Sequence, residues 1–186
     1  QDAVNRSIQG DFEGARTSIL SALSLSEQDR YYRTLAAIEL SRLNALVSAG
    51  ASDEAAQAKF RELLTNAINA GQRATDLDSR NYQNWLSRAS VYASVVPLGI
   101  EGSSATAEEA LKEAQKYNPQ TPEVDYRMAQ IRLAMNDADG ATDFAQAALK
   151  KKADYTPAIL LLAQVSFNEG RLSDAIDSVT SAVVLE

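Results

Sequence analysis

The 186-residue sequence contains neither cysteine nor histidine. Without thiols there is no disulfide framework and no thiolate nucleophile, and the redox state of the compartment leaves no mark on the sequence. The missing histidine removes the commonest general base and metal ligand, which excludes Ser-His-Asp and Cys-His catalysis and the usual zinc sites. An excess of positive charge is lacking too. Eighteen Lys and Arg face 25 Asp and Glu, so the net charge of −7 gives the whole chain no electrostatic footprint for nucleic acid or an anionic membrane. The longest apolar run, Ala158 to Ala163, is six residues, against the roughly 20 needed to cross a bilayer. We therefore expect a soluble segment with no nucleic-acid partner and no direct membrane insertion. Four prolines and eight glycines are few, and 45% apolar residues is ordinary for a chain that folds throughout. The first residue is Gln1 and no charged-then-apolar leader precedes the first periodic segment, which reads as a piece of a longer protein.

What the sequence does have is alanine at a fixed beat. Ala175 and Ala182 are matched by Ala141 and Ala148, Ala107 and Ala114, Ala67 and Ala74, and Ala15 and Ala22, each pair seven apart. The steps between pairs, from the C-terminus backward, are 34, 34, 40 and 52 residues. A second ladder, Ala163, Ala129, Ala89, Ala36 and Ala3, steps by 34, 40, 53 and 33 and tracks the first to within one residue. Two ladders in step imply an internal repeat of paired helices, and such a repeat decides the fold before any local reading does. A small side chain at each crossing lets one helix approach the next. Gly10, Asn136 and Gly170 fall where the first helix of a pair must stop, as residues that tolerate the left-handed conformation found there. Asn118-Pro119 closes one helix and Thr121-Pro122 opens another.

These residues resemble the tetratricopeptide repeat family, whose pattern runs aromatic, large apolar, small, aromatic on one helix, then Ala, bulky apolar, Ala, Pro on the next. Trp85, Ala89 and Tyr92, followed by Ala107, Leu111, Ala114 and Pro119, carry it best. Leu162, Ala163, Gly170, Ala175, Val179 and Ala182 carry it near the end. Asp125 and Ile159 depart from the family's tryptophan, Arg88 from its leucine, and Ala153 and Ser79 from its proline. The resemblance spans essentially the whole chain and implies an all-α, right-handed superhelical solenoid of antiparallel hairpins. We expect one domain of about five repeats, the first truncated: 1–28, 29–81 with a lengthened hairpin, 82–121 with a loop insertion, 122–155 and 156–186.

Two insertions stand out. Tyr32, Leu35, Leu43, Leu46 and Val47 keep a helical stripe up to Gly50, and Ser52 or Asp53 can cap a second helix carrying Phe60, Leu63, Leu64, Ala67 and Ile68, which predicts a long hairpin. The apolar loop Val95 to Ile100 is expected to fold back over its neighbour. Following Trp85 and Tyr92, it is similar to loops of repeat arrays that form soluble tails of multi-pass bacterial membrane proteins, which points to a larger, membrane-tethered parent. Val179, Val183, Val184 and Leu185 leave the last helix uncapped and suggest a homodimer through it.

The resemblance also implies function: a non-catalytic scaffold that binds a peptide or protein segment along a groove lined by the first helix of each repeat. Carried over position by position, that groove presents Arg30 and Arg33, then Gln83, Leu86 and Ser90, then Tyr126, Gln130 and Leu133, and finally Leu160, Gln164, Phe167 and Asn168. Amides suit main-chain hydrogen bonds, while Tyr126 and Phe167 suit apolar anchoring. A family subclass that clamps a terminal carboxylate is matched here by Arg33, Ala37, Ser87, Glu123 and Arg127, which supplies only two of five places. The competing reading is a structural spacer or self-assembly segment. No cofactor or metal site is expected. Asn136 to Gly140 starts like a calcium loop but puts Ala148 where the twelfth-position Glu belongs, Lys150 to Lys152 close a helix where cations suit the dipole, and no nucleophile or phosphate loop accompanies the helix-surface carboxylates.

Overall fold

The computed structural model describes residues 2–50, 52–176 and 180, which are all-α and fall into two bodies, residues 1–94 and residues 95–186. Among the described residues no helix is long and apolar enough to cross a membrane.

The N-terminal body runs α1 (Asp2–Ile8), α2 (Phe12–Leu25), α3 (Asp29–Ser48), α4 (Glu54–Leu77) and α5 (Tyr82–Ala93). Each helix packs on the next, and α3 also meets α1 and α5. The lengthened hairpin is the pair α3 and α4, of 20 and 24 residues. Asp53 starts α4, its carboxylate accepting the Ala56 N–H at 2.7 Å, which satisfies one of the orphan donors of the first turn. Asp11 does the same for α2 through Gly14 N–H at 2.9 Å. A Cβ on Gly14 would stand 2.1 Å from the capping carboxylate as it is placed, so a larger residue would make that side chain shift.

The C-terminal body opens with one 3₁₀ turn, Val96–Leu98, followed by α6 (Ser103–Tyr117), α7 (Pro122–Ala134), α8 (Ala138–Lys151) and α9 (Thr156–Asn168), with residues 172–176 and 180 also helical. Here α6 packs on α7, α7 on α8 and α8 on α9, and α7 also reaches α9. The Asp-x-x-Gly cap recurs at α8, where Asp137 accepts the Gly140 N–H at 2.9 Å and a Cβ on Gly140 would lie 2.4 Å from that carboxylate. Asn136 just before it has φ of 59°, and Gly10 and Gly170 have φ of 81° and 77° at the corresponding stops. The stretch that began like a calcium loop is thus a helix stop and a cap.

The alanine ladders are the core. Ala15, Ala67, Ala74, Ala107, Ala114, Ala129, Ala141 and Ala148 are fully buried, and Ala3, Ala36, Ala89, Ala163 and Ala175 are nearly so. Ala22 is half-buried. Trp85 is half-buried as well, because its indole N–H turns outward to Ser79 O at 2.7 Å and the Arg88 guanidinium covers its face at 5.6 Å. The apolar loop behaves in two ways: Val95 is buried and the 3₁₀ turn lies against α7, while Leu98 and Ile100 remain 45% and 38% exposed. Ala182 and the four apolar residues thought to expose the last helix, Val179, Val183, Val184 and Leu185, lie outside the described residues.

Candidate binding grooves

In the C-terminal body the first helices of successive repeats, α7 and α9, line a trough of about 1110 Å³. Tyr126, Gln130 and Leu133 come from α7, and Leu160, Gln164 and Asn168 from α9. Their spacing explains the shared face, since residues three, four and seven apart stack on one side of a helix. Asn136 and Glu169 also line it, while Thr156 and Pro157 contribute from the start of α9. The floor is the alanine core on which Tyr126, Leu133 and Leu162 rest. Tyr126 is fixed from two sides: Tyr155 meets its ring edge-on at 5.8 Å, and its hydroxyl accepts the Gln130 amide at 2.9 Å. Burial, and then the charge of Glu123, push the Tyr155 phenol above its ordinary range. Phe167 falls in a neighbouring apolar trough of about 540 Å³, which shares Leu160 and Gln164 and adds Ala163, Leu172 and Ile176. Phe167 is 63% exposed, the exposure of an anchor rather than of a core residue.

The residues proposed in the N-terminal body are brought together less completely. Arg30 and Arg33 line a smaller trough of about 360 Å³ between α1 and α3, with Val4, Ile8, Thr34 and Ala37. Gln83 and Ser90 lie on α5 outside it, Gln83 exposed and Ser90 half-buried with its hydroxyl donating to Leu86 O at 2.9 Å. Leu86 is a correction: only 5% exposed, it is a packing residue. Arg33 lines that trough with its guanidinium bonded within the protein, 2.9 Å from Asp29 and 2.5 Å from the Asn84 side-chain oxygen. Asn84, with no exposed surface, also donates to Ala74 O at 2.9 Å and Asp78 O at 2.7 Å, and so ties α3, α4 and α5 together. Burial alone would raise the Asp29 carboxyl, but hydrogen bonds from Asn84, Asn81 and the Arg30 N–H, with the Arg33 charge, hold it below the ordinary range. Arg30 is exposed, stacked over Tyr31 at 4.9 Å.

The other cation of the carboxylate-clamp pattern, Arg127, is paired with Glu123 at 2.7 Å. Lys151 departs from the expectation of a solvated basic run: it lies 2.6 Å from the buried Asp125, an ion pair in distance whose angles fall outside hydrogen-bond geometry. That contact explains why Asp125 can stand where the resembled family has tryptophan. Among the described residues no group of three or more acidic side chains could hold a metal ion.

Reading helix faces alone missed the residues that close the trough ends, Asn136, Thr156 and Pro157. The signal was present, since Asn136 sits 34 residues before Gly170 and Pro157 lies at a helix start.

No family model and no curated protein matches the chain. Solved structures do. TTC0263, a thermophilic TPR protein of Thermus thermophilus, superposes with a TM-score of 0.75 at 17% identity over 98% of this chain and 87% of its own. Pseudomonas aeruginosa pilF gives 0.67 at 16% identity, covering 99% of this chain and 73% of that one. MamA gives 0.59 at 16% identity, covering 100% and 94%. With its paired helices, buried alanine ladders and these neighbours, the chain has the helical-repeat fold of the tetratricopeptide repeat proteins.

Proposed function

We propose that the chain is a non-catalytic protein-interaction module that holds a peptide or protein segment in the trough between α7 and α9. The observation that carries this is the trough itself: a built concavity on a rigid alanine core, lined by amides and half-exposed apolar side chains, with Leu160 at 46% exposure. Amides supply direction and apolar side chains supply affinity, which is what recognition of a polypeptide asks for. The half-blocked N-terminal trough is the weaker site, because Arg33 is held by Asp29 and Asn84. Head-to-tail stacking of copies finds no apolar residue at one matching position of α1. Two residues beyond each ladder alanine stand Ile38, Val91, Ile131 and Val165, all buried, whereas the matching residue of α1 is the exposed Asn5.

Selection of displayed random peptides on the chain tests the proposal. Enriched peptides should lose about tenfold or more in affinity for a Tyr126→Ala, Leu160→Ala double variant whose circular dichroism is unchanged, as expected when two central contacts of roughly 1 kcal/mol or more are removed. Equal binding to both proteins, or loss on Ile8→Asp instead, would move the site away from this trough.

A further inference from the structure

We infer that the tip of the α3–α4 hairpin is a separate docking site, which takes one large apolar side chain of a partner protein's segment together with a carboxylate close to it in sequence. The site lies on the lengthened hairpin and stands whether or not the α7–α9 trough binds anything.

The extra length lies beyond the helix crossings. α4 begins 13 residues before its ladder alanine, Ala67, whereas α2 and α8 begin three residues before Ala15 and Ala141. Likewise α3 runs 12 residues past Ala36, against five for α7 past Ala129 and for α9 past Ala163. Roughly two extra turns of each helix are thus added where no ladder alanine stands. Few side chains are buried there: Leu43 on α3, and Ala56 and Leu63 on α4.

The apolar side chains left over line a trough of about 380 Å³, with Leu46 and Val47 on the α3 side and Ala56 and Phe60 on the α4 side. Val47 is 43% exposed, and Leu46 and Phe60 are half-buried. A trough of this size is at the small end of ligand sites and admits one or two side chains.

Charge decides what accompanies that side chain. Gln57 and Arg61 complete the α4 wall of the trough, and Glu54 shares their face of the helix, three and seven residues before them. The other charges nearby are engaged: Lys59 pairs with Glu62 at 3.0 Å, and Asp53 accepts the Ala56 N–H. Arg61 is exposed and has no ion-pair partner among the described residues. A guanidinium beside an apolar cleft offers a two-pronged grip for a carboxylate. Glu54 stands two turns away, about 10 Å along the helix, and repels an acid at that end. The bound segment therefore has a direction. Its carboxylate lies at the Arg61 end, and the part reaching toward Glu54 is neutral or basic.

Selection of displayed random peptides on the whole chain tests this, with Val47→Asp and Arg61→Glu as variants at exposed positions whose circular dichroism should not change. One class of enriched peptides should share a large apolar residue with Asp or Glu a few positions away. That class should lose about tenfold or more in affinity on Val47→Asp and keep its affinity on the Tyr126→Ala, Leu160→Ala change. Arg61→Glu should weaken it about tenfold, and selection repeated on that variant should enrich Lys or Arg in place of the acid, a reversal that a merely structural role for Arg61 would not produce. The inference is overturned if no enriched peptide depends on Val47, or if Arg61→Glu leaves the preference for acids unchanged. It is overturned too if Val47→Asp instead dissolves a self-associated form of the chain in light scattering, which would make a second copy the occupant. None of these outcomes touches the groove reading, which the Tyr126→Ala, Leu160→Ala variant tests by itself.

Discussion

In the N-terminal body the apolar packing of α3, through Ala36, Ile38 and Leu43, is joined by buried charge. Glu39, fully buried, accepts from Arg16 of α2 and Arg42 of its own helix, both at 2.7 Å, and Arg42 also pairs with Glu13 of α2. Asp29, Arg33, Asn81 and Asn84 form a second network on the other side of the same helix. In the C-terminal body the corresponding work is done by small apolar surfaces, with Ala129, Ala141, Ala145, Ala148 and Ala158 packed around Leu161 and Val165. Both devices hold helices together where they meet. They differ in what they leave over. Polar networks consume the amides and cations of the first helices in internal bonds, whereas alanine packing leaves Gln130, Gln164 and Asn168 free to face outward. The larger groove therefore forms where the core draws less on the polar side chains of the first helices, Asp125 with Lys151 being the buried pair there.

The largest effect should come from breaking the charge network. Glu39→Ala leaves Arg42, with 10% of its side chain exposed, only the exposed Glu13 as a partner, and should cost about 3 kcal/mol, the low end of the range for breaking a buried ion pair. Hydrogen exchange read helix by helix is the suitable measurement, because it separates the bodies. Protection should fall in α2 and α3 and hold in α8 and α9. An equal loss in all four would mean that the bodies do not differ in the way described.

How far the sequence revealed these differences depends on what each feature needs. The alanine ladders and the stops at Gly10, Asn136 and Gly170 were legible because they are periodic, and helical period fixes which side a residue faces. The trough residues Tyr126, Gln130, Leu133, Leu160, Gln164 and Asn168 were legible for the same reason. Leu86 is covered, and Arg33 lines the small trough of α1 and α3 while bonded to Asp29 and Asn84; the same register places both on the groove side, and only tertiary contacts separate them. The partners Asp29 and Asn84 lie 55 residues apart, and Glu39 and Arg16 lie 23 apart, distances over which a single sequence carries no pairing signal.

A change aimed at the alanine core should be felt in the other body. Ala141 has no exposed surface and sits among Ala129, Ala145 and Leu161, so Ala141→Leu inserts three carbons where none fit and should cost about 2 kcal/mol by overpacking. Slower-exchanging amides of α7 and α8 should lose protection while α3 and α4 keep theirs. A neutral outcome would show that this crossing has slack, and the contrast between rigid apolar packing and polar pairing would weaken accordingly.

Acid should distinguish the bodies most gently. Asp2, Glu27 and Asp29 are all held below their ordinary ranges, and all three lie in the N-terminal body. Hydrogen bonding from Ser18 is the chief cause at Asp2 and from Arg73 at Glu27, while at Asp29 burial is outweighed by the Asn84 and Asn81 amides together with the Arg30 N–H and the Arg33 charge. A carboxyl whose folded-state pKa is depressed stabilises the fold fully above its unfolded pKa, near 4, and that contribution disappears as the pH falls through the lower folded value. The N-terminal body should therefore lose exchange protection first as the pH is taken from about 5 down through the carboxylate range, with α3 leading because Asp29 anchors its first turn. Asp29→Asn removes the titration while keeping the shape, so the variant should start less stable at neutral pH and show a flatter acid response in α3. If wild type and variant declined in parallel, the acid sensitivity of this body would have to reside in Asp2 and Glu27, and the Asn84 network would be holding α3 by geometry rather than by charge.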